Sequence, residues 1–326
     1  MEKISLVTAM LAPLEQFAAV LRCPSCGSEL AWKDAQPSCT ADSSVCNVGK
    51  PFAIVSGIPV LVDPGNTVVV PDELAARGGK SDVRRRAAWS GVRWIRDRLM
   101  APVVRTRSNI ARLLTLAGGV ASRPRILVIG GGTVGGGAEE LYADTQTDLL
   151  SFDVYASPYV QVVADTHDIP ICSHAFDAIV VQAVLEHVIE PARVVSEIHR
   201  VLKPGGLVYS EVPFLQQVHE GRYDFTRFTA SGHRALFRQF EVIEFDALDG
   251  PGTQLVWSLD HLARAVFRSR WAGRVVRAIF FWLRWLDGLV GHSFAIDAAS
   301  STYFLGRRSE RSVPLQELIA AYKGAQ

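Results

Sequence analysis

The sequence predicts an α/β protein: an open, doubly wound sheet of seven strands, with a small N-terminal cysteine module and a helical insertion before the last strand. Three observations predict it. The stretch Arg125 to Tyr142 reads RILVIGGGTVGGGAEELY, an apolar strand running into a glycine turn and a helix start. Strand-like and helix-like runs then alternate, the pattern of a parallel sheet with crossover helices. Four of the five cysteines fall between residues 23 and 46, away from this pattern.

Composition bounds the rest. The chain has 326 residues, 48% hydrophobic and 21% charged, with net charge +1, so no global field for nucleic acid is implied. Residues 1–18 read as a short amphipathic helix interrupted by Glu15 rather than as a signal peptide. No apolar run reaches transmembrane length, and a cytoplasmic location is expected.

Residues 19–66 hold Cys23 and Cys26 as C-x2-C, and Cys39 and Cys46 as C-x6-C. Two thiolate pairs joined by a hairpin can close a tetrahedral zinc site that stabilises the fold and keeps no open position for chemistry. Residues 67–106 form a basic linker. Eleven Arg or Lys stand against Asp82 and Asp97 over residues 77–112, with Trp89 and Trp94 among them. A solvated joining helix is the favoured reading; a grip on RNA or an anionic membrane is the other.

In the main domain, 107–308, the strand 126–129 leads to Gly130, Gly132 and Gly135, a G-x-G-x-x-G turn that suits either a dinucleotide or S-adenosylmethionine (SAM). Two further strands end in acids, Asp153 and Asp165. Asp153, followed by Val154, lies where ribose hydroxyls would bind. Asp165 can accept from an adenine amino group, with the Thr166 amide beside the ring. A fourth strand ends at Gln182, and the helix 191–202 stops at Lys203-Pro204-Gly205-Gly206 before the fifth. Ligands of such a sheet gather at the carboxyl ends of its strands.

The segment QAVLEHVIEPARVVSEIHRVLKPGGLVYSEVPF, Gln182 to Phe214, closely resembles the block from fourth to fifth strand of class I SAM-dependent methyltransferases. The resemblance spans about residues 107 to 308 and implies the Rossmann-like fold of that family, with SAM as cofactor. It departs at Val128, where the family commonly carries an acid. The tail PFAIVSGIPVLVD resembles the zinc-ribbon module related to small methyltransferase activators, over roughly residues 19 to 63.

Methyl transfer from a sulfonium needs alignment, and a base only when the acceptor must lose a proton. His187 and His219 are the candidate bases, on loops expected to face the methyl group. Glu220, Tyr223, Asp224 and Arg227 are the candidates for acceptor recognition. Residues 249–298 read as a helical insertion with a broad apolar face interrupted by Arg277, Arg284 and Asp287. A lid, a homodimer contact or a peripheral membrane contact over 251–290 would each suit it. A C-terminal tail, 309–326, follows. The expected function is methyl transfer from SAM to a small or lipid-linked metabolite. The rivals are an RNA methyltransferase gripping RNA through the ribbon and linker, and a non-catalytic SAM-fold scaffold. No Asn/Asp-Pro-Pro-aromatic motif follows the fourth strand, which counts against base amino-group methylation.

Overall fold

A computed structural model describes residues 11–42, 44–46, 51–82 and 104–326. The strands are β1 (Leu30–Lys33), β2 (Gln36–Cys39), β3 (Ile54–Val55), β4 (Ile58–Leu61), β5 (Arg125–Ile129), β6 (Asp148–Asp153), β7 (Val162–Ala164), β8 (Phe176–Gln182), β9 (Leu202–Pro213), β10 (Phe240–Asp249) and β11 (Ser301–Arg308). The helices are α1 (Pro71–Ala76), α2 (Val104–Gly118), α3 (Glu139–Ala143), α4 (Pro191–Val201), α5 (Ala230–Leu236), α6 (Pro251–Phe267), α7 (Arg270–Phe280), α8 (His292–Asp297) and α9 (Leu315–Ala320).

Among the described residues the main sheet has nine strands, in the order β10-β11-β9-β8-β5-β6-β7-β4-β3. Seven of them, β5 to β11, are those the sequence predicts. β5 pairs in parallel with both β6 and β8, and β11 runs antiparallel between β9 and β10. The other two come from the N-terminal module. Its second hairpin turns through Ser56 and Gly57, both at positive φ, as a two-residue hairpin turn requires. β4 then pairs in parallel with β7, Val60 opposite Val163 and Leu61 opposite Ala164. The cysteine module and the main domain thus share one sheet.

The central strands read as unbroken apolar runs because both faces are covered. Along β5, Leu127 and Ile129 enter one core with Val194, Val195 and Ile198 of α4, whereas Ile126 and Val128 enter another with Ile110 and Leu113 of α2. Alternate side chains of a strand point to opposite faces, so this division separates the two layers. The first core also takes in Phe17, Leu21, Cys23, Cys46 and Phe52 of the module, and the Phe17 ring stacks on Phe176 at 5.9 Å.

One expectation is modified. Of the expected helix over 1–18, residues 1–10 lie outside the described residues, and the remainder holds one 3₁₀ turn, Leu14–Phe17, pinned by buried Phe17. The stretch before the arginine-rich run is docked: Val69 and Leu74 are buried beside Val60 and Val163. The Arg84–Arg86 run, Trp89 and Trp94 lie outside the described residues.

Within the insertion α6 and α7 pack through Gly273, where a Cβ would stand 2.2 Å from an Asp260 oxygen. Asp260 is fully buried and paired with Arg264 at 2.6 Å and Arg277 at 3.4 Å. Asp287 caps the start of α6, accepting from the backbone of Gly252 (2.6 Å) and Thr253 (3.1 Å).

Candidate active site and cysteine centre

The site grows from the end of β5. Gly130 takes φ +76°, and a Cβ there would meet Val184 Cγ2 at 2.3 Å. A left-handed backbone in tight contact accepts only glycine without strain. The amides of Gly130 and Gly131 both donate to the Phe152 carbonyl, tying the turn to β6. Gly132 N–H donates to Asp153 Oδ2 at 2.8 Å, while Oδ1 accepts from Val154 N–H. A Cβ on Gly135 would stand 1.9 Å from Gln182 Oε1, so the turn approaches the tip of β8 as closely as backbone allows.

Between turn and tip lies a cavity of about 290 Å³, lined in part by Gly130, Gly135, Gln182, His187, His219 and Glu220. Gln182 is held from behind: its Nε2 donates to Glu211 Oε2 at 2.8 Å and to the Gly136 carbonyl at 3.2 Å. Glu211 in turn accepts from Thr106 Oγ1 at 2.6 Å and from the Tyr209 hydroxyl. Burial pushes the Glu211 carboxyl up, and these donors offset part of that rise. Ala183, next along, is held at φ +53°, a strained position of the kind that clusters at functional sites.

The sequence-predicted residues divide. Gly130, Gly135 and Gln182 line the cavity; Asp153 and Val154 border the turn through the hydrogen bonds just described, which end at Gly132. Asp165 does not face the cavity. Its Oδ2 accepts from Thr67 Oγ1 and Val68 N–H, each at 2.9 Å, and its Oδ1 from His167 N–H at 3.0 Å, with the His167 ring nitrogen at 2.6 Å. Burial raises this carboxyl, yet the His167 and Val68 donors win and hold it at about 2. Thr166 is buried beside it. The carboxylate expected at the adenine therefore fastens the strap 67–69 to the sheet, because that strap reaches it first.

His187 and His219 both line the cavity, their rings edge to face at 5.0 Å. The Tyr223 carbonyl lies 2.9 Å from His187 Nδ1, so that nitrogen donates and Nε2 keeps its lone pair. Burial pushes His187 toward the neutral form. Of the four acceptor candidates, Glu220 lines the cavity. Asp224 and Arg227 pair with each other (2.8 Å), and Arg227 also donates to the Gln216 and Gln217 carbonyls, so this pair shapes the loop. Tyr223 turns its hydroxyl to Asp82 at 3.1 Å.

Two residues escaped sequence reasoning. Glu186 is completely buried, with no hydrogen-bond partner on either oxygen, and burial pushes its carboxyl up to about 8. Glu211 stands behind Gln182. An acid amid the apolar run of β9 was a readable signal for the second. The first lies in the Leu185-Glu186-His187 turn of the family-like segment, with no sign in the sequence that its carboxyl would be enclosed.

At the other end, Cys23 and Cys46 sulfurs lie 3.6 Å apart, those of Cys26 and Cys39 3.5 Å, and all four sulfurs fall within 4.8 Å of one another. Four thiolates about 2.3 Å from one zinc ion stand at roughly this separation. The donor set fits a closed tetrahedral zinc site.

Comparison with known proteins supplies the family. Residues 137–210 match the family model described as a methyltransferase domain. The chain carries a methyltransferase domain. Its open, mostly parallel sheet agrees with the class I, SAM-dependent type that the sequence resembles. A demethylmenaquinone methyltransferase from Renibacterium salmoninarum is 32% identical over 111 residues, covering 31% of this chain and 46% of that protein. The match thus spans about half the length of that curated relative. Similar solved structures include phosphoethanolamine N-methyltransferase 2 of Haemonchus contortus in complex with SAM, at 16% identity and TM-score 0.40, covering 62% of this chain and 53% of that one. A SAM-dependent methyltransferase from Archaeoglobus fulgidus shows 10% identity and TM-score 0.42, covering 66% and 98%. SAM is the cofactor of this domain class, and the methyltransferase domain here fits it in two respects. The glycine turn lines the cavity at Gly130, Gly135 and Gly136, residues with no side chain to obstruct it, and an acid, Asp153, ends the second strand at the turn. No helix among the described residues is long and apolar enough to cross a membrane.

Proposed function

We propose that this protein transfers the methyl group of SAM to a small or lipid-linked acceptor, with a zinc ion held by Cys23, Cys26, Cys39 and Cys46 stabilising the N-terminal module. One observation carries the reading: the cavity runs from the glycine turn to His187, His219 and Glu220, so a donor at the turn and an acceptor at the histidines would share one space. SAM supplies an activated methyl; the chain's task is alignment and exclusion of water. Gly130 and Gly135 line the cavity and admit the donor to backbone contact, while Gly132, bonded to Asp153, fixes the turn. Gln182, fixed by Glu211, sets the floor. His187 Nε2 and the His219 ring border the acceptor and can take a proton from it when the acceptor is a hydroxyl.

The insertion supports a lipid-linked acceptor. Phe267, Trp271, Trp285 and Leu289 are each about 70% exposed or more, with Arg268, Arg270 and Arg274 among them in sequence. Trp and Arg around an apolar face suit a membrane surface. This insertion also touches the acceptor loop, Gln217 Nε2 donating to Ser258 Oγ at 3.0 Å.

Incubating the protein with tritiated-methyl SAM and a fractionated cell extract tests both levels. Label is expected in the organic-soluble fraction. Label in RNA would redirect the acceptor, and absence of SAM binding by calorimetry, with the chain folded, would leave a scaffold.

A further inference from the structure

Three ligand atoms meet at the acceptor end of the cavity. Glu186 Oε1 lies 3.6 Å from His187 Nε2 and 4.0 Å from His219 Nε2, and one ligand atom from each of the three residues falls within 4.8 Å of the others. All three can be electron-pair donors at once. His187 Nδ1–H is committed to the Tyr223 carbonyl. Around His219 Nδ1 stand two acceptors, the Gln217 carbonyl at 3.3 Å and Asp224 Oδ2 at 3.6 Å, against one donor, Arg227 Nη2 at 3.5 Å. Both Nδ1 atoms thus favour carrying the proton, and both Nε2 lone pairs face the Glu186 carboxylate.

With Glu186 ionised, that arrangement is unfavourable unless something positive joins it; without such a partner, burial keeps the carboxyl largely protonated near neutral pH. A proton cannot bridge these atoms well, since 3.6 and 4.0 Å exceed hydrogen-bond reach. Two ligands about 2.1 Å from one divalent ion stand roughly 3.0–3.5 Å apart, so inward shifts of well under an ångström suffice. The carboxylate is completely buried and neither of its oxygens has a hydrogen-bond partner, the situation a buried charge avoids unless paired or bound to metal. The remaining ring nitrogens point to backbone carbonyls, the outer partners that usually orient metal-bound imidazoles.

We propose that Glu186, His187 and His219 bind a divalent first-row transition ion, such as manganese, cobalt or zinc, with its open positions toward the cavity to hold an acceptor oxygen. Two imidazoles and one carboxylate leave coordination sites free, unlike the closed set of four thiolates at the other end of the chain. This second metal site is built from the chain's own residues, and its test needs no methyl transfer. Its hold on an acceptor oxygen rests on the methyl-transfer reading. A bound ion would take the Nε2 lone pairs and lower the acceptor's pKa, in place of direct proton transfer to the histidines.

Metal counting tests it without donor or acceptor. The full chain is saturated with one zinc at its cysteines, then titrated separately with manganese, cobalt and zinc, with bound metal counted by mass spectrometry after gel filtration. A second equivalent is expected for at least one ion. Cobalt in that position should add no sulfur-to-cobalt absorption band. His219→Ala, on a partly exposed loop, and Glu186→Gln, which keeps the shape of the buried side chain, should each weaken the second equivalent at least about tenfold while retaining the first. No second equivalent with any of the three ions would overturn the proposal, as would a second equivalent that both variants leave unchanged.

Discussion

Gly130 shows how much one residue can hold. Its left-handed φ, and Val184 standing 2.3 Å from the place a Cβ would take, leave no room for a methyl group. Gly130→Ala should lower unfolding stability by about 1–3 kcal/mol, read as a shift in denaturant midpoint with unchanged slope, and should abolish SAM binding by calorimetry. His233 gives the pH dependence. It is wholly buried between Ser210 Oγ and Thr302 Oγ1, and burial lowers its pKa to about 3. Above the unfolded value near 6.5 the ring is neutral in both states and adds no pH slope. Below it the unfolded chain takes up a proton that the folded chain refuses, so stability falls as pH falls from about 6.5 toward 3. His233→Asn should remove about one proton's worth of slope, roughly 1.4 kcal/mol per pH unit, in urea titrations at pH 4 to 6.

Among the elements, the hairpin β3–β4 decides how the cysteine module relates to the rest. A free-standing ribbon would lose zinc without consequence for the main domain. Here β4 is a sheet strand beside β7, and Cys23 and Cys46 lie in the same core as Leu127 and Ile179. Cys46→Ser should therefore release zinc and lower the melting temperature of the whole chain by at least a few degrees, in one transition rather than two. A main transition unmoved by zinc loss would contradict this coupling. The cysteine spacing was legible because metal ligands must lie close in sequence when a knuckle presents them. The hairpin's place at the sheet edge was not, because edge pairing depends on which surface is left open after seven other strands have assembled. The strap 67–69 belongs to the same lesson. Asp165 was read as a ligand-facing acid from its position at a strand tip, yet Thr67, 98 residues away, supplies its partner.

For the molecule as a whole, the exposed face of the insertion makes a prediction about surfaces. The chain should sediment with vesicles containing anionic lipid, and Trp271→Ala together with Trp285→Ala should weaken that binding about tenfold or more, given the apolar area each indole would bury. Equal binding by the double variant would remove membrane contact from the reading. The sequence by itself determined the sheet, the glycine turn and the cysteine set, because each rests on local rules: side-chain alternation, backbone sterics at positive φ and short ligand spacing. Only the tertiary structure decided that Asp165 fastens a strap, that Glu211 braces Gln182, and that Glu186 is enclosed beside two histidines. Those outcomes depend on which distant groups arrive within hydrogen-bond reach and on what burial does to a charge. Neither is set by neighbours along the chain.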